Sequence, residues 1–131
     1  MKFFLLISSF ILISASAKKC GHKKSTLADG CYKGKLEIKA NCMNYTISII
    51  DGNFESSMVD ANWKDETTGK EYKNVFALGS RCNFPATIKA GDEFYFKIDS
   101  TTAQNCAVCM MYYPVPAKHL SIKVLDGPCT E

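Results

Sequence analysis

The chain has 131 residues, a length that suits one globular domain, and 47% of them are hydrophobic. Its 16 basic and 13 acidic residues leave a formal net charge of +3. Such a small charge gives no reason to expect a nucleic-acid-binding protein, because those proteins neutralise many phosphates. Beyond the first residues, no apolar run approaches the roughly 18 residues that suggest a transmembrane helix, so no transmembrane segment is predicted.

The N-terminus has the three parts of a secretory signal peptide. Lys2 is followed by the mostly apolar residues 3–13, and Ala15 and Ala17 then form a small-residue cleavage site. We therefore predict a signal peptide over residues 1–17 and a single secreted, extracellular domain over residues 18–131. This domain begins with a basic N-terminal arm, which contains Lys18, Lys19, His22, Lys23 and Lys24. Such an arm is typical of a solvated terminal segment, and contact with an anionic glycan or lipid surface is the alternative.

Hydrophobic and polar residues alternate along most of the remaining chain, which predicts half-buried β-strands. In chain order, the predicted strands lie within residues 36–40, 45–49, 58–63, 72–78, 94–98 and 120–124. The polar residues 64–71 predict a hairpin loop. Residues 107–113 form a nearly continuous apolar run that ends at Pro114, which predicts a further strand buried on both faces.

The number and spacing of these strands predict an all-β protein. About seven or eight strands separated by turn signals favour a disulfide-linked antiparallel β-sandwich, with a small barrel as the alternative. No long stripe of 3.6-residue periodicity indicates a helix.

Seven cysteines predict a disulfide framework, because a secreted chain folds in an oxidising compartment. They are Cys20, Cys31, Cys42, Cys82, Cys106, Cys109 and Cys129. Six of them can form three intramolecular disulfides, and the spacing does not fix the connectivity. If sequence neighbours pair, Cys20 bonds Cys31. Cys129 is expected to bond Cys106 or Cys109 and so to fix the last strand, unless it is itself the unpaired cysteine.

The odd number leaves one cysteine over. It is expected to be a buried thiol, a reactive free thiol or half of an intermolecular bridge, which would give a disulfide-linked homodimer. Cys106 and Cys109 form a C-x-x-C pattern, the spacing of thiol–disulfide exchange sites. On a strand these two side chains point to opposite faces, so we expect them to bond different partners. One of them is expected to be the odd thiol or the partner of Cys129.

The residue types that most often carry catalysis are histidines and paired carboxylates. Here they are His22, His119, Asp65-Glu66 and Asp92-Glu93. The histidines lie in predicted loops, and adjacent carboxylates in turns are typical of solvated surface. The sequence also lacks the paired spacing of a structural zinc site. We therefore predict no catalytic residue, no cofactor and no metal site, and a protein that is not an enzyme.

Asn44-Tyr45-Thr46 is the only N-glycosylation sequon, because no other asparagine has Ser or Thr two residues later. Its position at the start of a predicted strand, close to Cys42, is compatible with an exposed turn. We therefore predict a glycan on Asn44.

The plan of leader, cysteines and strands resembles that of secreted MD-2-related lipid-recognition domains. The resemblance depends on Cys82-Asn83-Phe84-Pro85, which precede a turn at Gly91 and an aromatic strand. It implies a β-sandwich that recognises lipid, and no binding residue is carried over from it.

The sequence thus predicts a secreted, non-enzymatic binding or effector protein of the extracellular-interaction or host-defence type. The alternative is a carrier of a small apolar ligand or lipid, which would need an apolar cavity of about 300 Å³ or more between its sheets. A secreted hydrolase is a third interpretation, and it would need His119 or His22 beside a nucleophile and a carboxylate. The expected partner is an extracellular protein, glycan or lipid.

Overall fold

The computed structural model describes residues 25–101 and 104–129. These residues form strands and three short 3₁₀ turns, which confirms the all-β prediction. The strands are β1 (Cys31–Lys39), β2 (Tyr45–Asp51), β3 (Asp60–Lys64), β4 (Glu71–Leu78), β5 (Glu93–Ile98), β6 (His119–Leu120) and β7 (Ile122–Leu125). No helix in this part of the chain is long and apolar enough to cross a bilayer. The predicted signal peptide, the basic arm with His22, and Cys20 lie outside the described residues.

All of these strands belong to one sheet with the order β3-β4-β2-β1-β5-β7, and the neighbours on this path are antiparallel. β6 pairs with β4 in parallel. Only Ser121 separates β6 from β7, so this last stretch of chain pairs with β4 at one end and with β5 at the other. The pairing therefore runs in a ring through β4, β2, β1, β5 and the β6–β7 stretch, which is the small barrel that the sequence allows as the alternative to a sandwich.

Ser80 connects the end of β4 to the start of β7, where this ring closes. Its side chain is buried, and its Oγ accepts a hydrogen bond from the Ile122 N–H at 2.8 Å and donates one to the Ile122 carbonyl at 2.9 Å. The Gly79 N–H donates to the Leu120 carbonyl at 2.8 Å. These bonds attach the last strand segment to the end of β4.

Alternating residues of the strands fill the interior. Ile47, Phe76 and Phe96 are fully buried. The ring centroids of Phe76 and Phe96 lie 5.8 Å apart, and those of Phe94 and Phe96 lie 6.0 Å apart. Gly34 in β1 leaves room for this cluster, since a Cβ there would lie 2.9 Å from the Phe96 ring and 3.2 Å from Ile47. The alternation that predicts the strands is thus also the alternation that builds the core.

Three disulfides connect Cys31 with Cys129, Cys42 with Cys109, and Cys82 with Cys106. The prediction of three intramolecular bridges is confirmed. Cys106 and Cys109 bond different partners, as expected, although the strand on which that expectation was based does not form.

The expected partner of Cys129 was wrong, because Cys129 bonds Cys31 and neither Cys106 nor Cys109. The reason is the strand order: β5 pairs with β1 on one side and with β7 on the other, so the start of β1 and the end of the chain lie close together. The Ala28 N–H also donates to the Cys129 carbonyl at 3.2 Å. The Cys20–Cys31 bridge expected for sequence neighbours is wrong as well, because Cys31 bonds Cys129.

The strand predicted over residues 107–113 does not form, and the run is not buried. Cys106 and Cys109 are each bonded to a separate loop of the barrel, which holds this segment on the outside. Pro114, which follows it, has no N–H to donate to a sheet. The hairpin loop predicted over residues 64–71, by contrast, is confirmed between β3 and β4.

Candidate functional site

Two of the disulfides join loops on the outside of the barrel. Cys42 lies in the turn between β1 and β2 and bonds Cys109, with the two Cα atoms 5.1 Å apart. Cys82 lies in the turn after β4 and bonds Cys106, with the Cα atoms 5.5 Å apart. The long connection between β5 and β6 is therefore fixed covalently at two nearby points. We call residues 41–44 together with residues 104–113 the disulfide ridge.

The first part of the disulfide ridge has an uncommon backbone conformation. Cys42 and Met43 have φ values of 58° and 56°, in the left-handed region that residues with a side chain rarely adopt. Met43 packs against the core, and Cys42 is fixed by its disulfide. These two attachments hold a strained turn in place, and strain of this kind concentrates at functional sites.

Asn44 connects the two parts of the disulfide ridge. Its side chain is only 7% exposed, and its Nδ2 donates to the carbonyl of Asn41 at 3.0 Å and to the carbonyl of Met111 at 2.9 Å. Asn41 in turn directs its Nδ2 at the sulfur of Met111, at 3.6 Å. The position of Met111 is thus set by hydrogen bonds in addition to the neighbouring disulfide.

Asp65 forms a hydrogen bond with Tyr113, the last residue of the disulfide ridge. Its fully buried carboxylate accepts hydrogen bonds from the Thr67 N–H at 2.9 Å, the Thr68 hydroxyl at 2.8 Å and the Tyr113 hydroxyl at 3.3 Å. Burial raises the pKa of Asp65, but the hydrogen bonds to its charged form outweigh burial and leave the pKa below its usual value. A buried anion in the β3–β4 hairpin therefore fixes Tyr113.

At residues 110–112 the disulfide ridge presents apolar side chains to solvent. Met110 is 97% exposed, Met111 59% and Tyr112 82%. The other large hydrophobic side chains exposed in the described residues are Ile50 and Ile98, which lie on different strands. Single exposed apolar residues are ordinary, whereas three consecutive ones concentrate apolar surface at one place.

The residues considered for chemistry are not brought together. His119 begins β6 and is exposed, while His22 lies outside the described residues. The C-x-x-C cysteines are both in disulfides with other partners, so neither holds a thiol for exchange. In the part of the chain that the structure describes, no group of three or more His, Cys, Asp or Glu residues is placed to hold a metal ion.

The two carboxylate pairs have separate structural surroundings. Asp65 is buried as described, and its neighbour Glu66 is exposed. Asp92 accepts a hydrogen bond from the Lys89 N–H at 2.8 Å and so closes the turn before β5. Glu93 forms an ion pair with Lys33. The local contacts of each carboxylate pair thus account for its presence without a catalytic role.

A groove of about 560 Å³ lies beside β1 and β2 and opens to solvent. Its lining consists of Thr26, Lys33, Ile49, Ile50, Asp51, Gly52, Phe54 and Asn74. Charged and amide side chains thus alternate with apolar ones. The groove does not have the enclosed, mostly apolar surface that a lipid carrier needs.

No known protein family, curated protein or solved structure matches this chain. The resemblance to MD-2-related lipid-recognition domains therefore receives no support from these comparisons.

The exposed Met110, Met111 and Tyr112 were missed as surface residues, because an apolar run of this length is typical of a buried strand. One signal of a loop was present in the sequence. Pro114 and Pro116, which follow the run closely, are poorly compatible with a central strand.

Proposed function

We propose that this chain is a secreted, non-enzymatic binding protein that contacts an extracellular protein through the disulfide ridge. The observation that carries the proposal is the exposure of Met110, Met111 and Tyr112 on a covalently fixed loop. Tyr and Met are enriched in protein interfaces, and exposed apolar clusters mark such interfaces. Among protein, glycan and lipid, these side chains favour a protein partner.

The construction of the disulfide ridge supports a binding role. Its two disulfides fix the backbone, so less conformational entropy is lost when a partner binds. Methionine side chains at its tip can still adapt to the surface that they meet.

Secretion is part of the proposal. The leader over residues 1–17, with cleavage after Ala17, would release a single domain over residues 18–131. Three intramolecular disulfides are consistent with an extracellular protein. Cys20 is the one cysteine not used in these bridges, and it would be the residue that links a homodimer.

Substitutions in the disulfide ridge test this function directly. The secreted wild-type protein is immobilised and incubated with the extracellular fluid in which it occurs, beside the variants Met110→Asp, Tyr112→Ala and the control Ile98→Ser. Ile98 is a matched control because it is exposed and apolar but lies on β5. We expect the same partner to be retained by wild type and control and lost, by at least about tenfold in affinity, with the ridge variants. Equal retention by all four proteins would place the interface elsewhere.

A further inference from the structure

Thr46 has a hydroxyl that the fold does not use. The residue lies in β2 and is completely buried, and its Oγ1 has no hydrogen-bond partner. A buried hydroxyl without a partner lowers stability, whereas Val has nearly the same shape, suits a strand and lacks the hydroxyl. Folding alone therefore gives no reason for Thr at this position.

The same hydroxyl is an essential part of the sequon. N-glycosylation requires Ser or Thr two residues after the asparagine, and Thr46 has this position relative to Asn44. The hydroxyl is buried after folding, so it can be read only while this part of the chain is unfolded. An otherwise unused Thr46 indicates that the sequon is recognised at that stage.

The folded disulfide ridge has no space for a glycan on Asn44. Nδ2 uses its two hydrogens for the carbonyls of Asn41 and Met111, and only 7% of the residue is exposed. A glycan replaces one of these hydrogens, so one of the two hydrogen bonds is lost. A sugar in place of the hydrogen that faces Met111 would occupy the position where the chain at Met111 now lies.

We propose that Asn44 is glycosylated before the disulfide ridge forms, and that the glycan and the docked segment 110–113 exclude each other. The transfer forms a bond between Nδ2 and C1 of the first sugar and breaks the bond from C1 to the phosphate of a lipid diphosphate donor. The proton of Nδ2 and the lipid diphosphate are released. This inference does not depend on what the ridge binds.

Neighbouring attachments confine the effect of the glycan. Cys109 remains bonded to Cys42 on one side, and the buried Pro116 and the β6 pairing with β4 remain on the other. The residues between Cys109 and Pro116 can move away from Asn44 without opening the barrel if Tyr113 gives up its hydrogen bond to Asp65. Glycosylated and unmodified molecules would therefore share a core and differ in the exposed part of the ridge.

The first measurement is the mass of the full chain secreted from a glycosylating host, before and after treatment with an endoglycosidase. Wild type and Thr46→Ser, which keeps the sequon, should each lose the mass of one glycan. Thr46→Val, which removes the sequon, should lose none. A wild-type protein secreted without a glycan would overturn the proposal.

The second measurement uses methionine oxidation by dilute peroxide, followed on peptides by mass spectrometry. Met110 is almost fully exposed and serves as the internal standard, whereas Met111 is partly covered and its sulfur faces Asn41. In Thr46→Val, Met111 should oxidise several-fold more slowly than Met110. In the glycosylated wild type the two rates should become equal.

An unmodified wild-type chain, refolded from a host without N-glycosylation, repeats this comparison with Thr46 in place. It should behave like Thr46→Val. If the ratio of the two oxidation rates is the same with and without the glycan, the glycan and the docked segment do not exclude each other, and the inference is wrong.

Discussion

At the scale of single residues, Asp65 shows how one buried charge can position a surface loop. Its carboxylate receives hydrogen bonds from Thr67, Thr68 and Tyr113, which belong to two different segments. The net effect is a pKa below the usual value, so folding is favoured when this group is ionised.

Asp65→Asn should lower the free energy of unfolding at neutral pH by about 1–3 kcal/mol, because charge-assisted hydrogen bonds are lost. The contribution of Asp65 is fully present above its unfolded pKa and disappears as the pH falls through the lower folded pKa. The difference between wild type and variant should therefore shrink as the pH falls below about 4. Urea unfolding at pH 7 and pH 3 measures it.

Glu66→Gln is the matched control, because Glu66 is the exposed neighbour of Asp65. Its effect should be small at both pH values. If Asp65→Asn destabilises equally at pH 7 and pH 3, the ionised form of Asp65 is not the source of the stability.

At the scale of elements, the closure between β4 and the β6–β7 stretch is the part of the fold with the fewest strand pairs. β6 contributes only two residue pairs to β4, between Ala77 and His119 and between Leu78 and Leu120. The buried Ser80 adds a reciprocal pair of hydrogen bonds with Ile122 at this point. The Ser80 side chain therefore extends a strand pairing that is only two residue pairs long.

Ser80→Ala should destabilise the protein by about 1–3 kcal/mol, because it leaves the N–H and the carbonyl of Ile122 unpaired in a buried position. Ser57→Ala is a suitable control, since Ser57 is exposed. Chemical denaturation of both variants measures the difference. Equal stability of the two variants would show that the closure does not depend on Ser80.

The elements also show what the sequence could predict. The strands could be predicted from the alternation of apolar and polar residues. A residue such as Ile47 or Phe96 must point into the core whatever the order of the strands in the sheet. The disulfide partner of Cys129 could not be predicted, since it follows from the position of β5 between β1 and β7, and periodicity does not determine strand order. The disulfide ridge was missed for a similar reason: only the fold decides whether an apolar run is buried.

At the scale of the whole molecule, the disulfides differ in how much chain they enclose. Cys31 and Cys129 are separated by 98 residues, whereas Cys82 and Cys106 are separated by 24. A bridge that closes a longer loop removes more entropy from the unfolded chain. The Cys31–Cys129 bridge should therefore contribute more to stability.

Replacing Cys31 and Cys129 together by Ser should lower the free energy of unfolding by about 5 kcal/mol in the loop-entropy model, and replacing Cys82 and Cys106 by about 3.5 kcal/mol. Thermal and urea unfolding of the two double variants measure the order. The reverse order would mean that native contacts around the bridges outweigh loop entropy.

The disulfide ridge is assembled from two segments that lie far apart in the chain and are joined by the Cys42–Cys109 bond. A synthetic peptide with the sequence of residues 104–113 lacks the turn at Cys42 and the amide of Asn44. It should therefore compete poorly with the intact protein for the proposed protein partner. Antibodies raised against the folded domain should include a class whose epitope at this site is lost on reduction. Recognition through this surface would thus report the redox state of the protein as well as its presence.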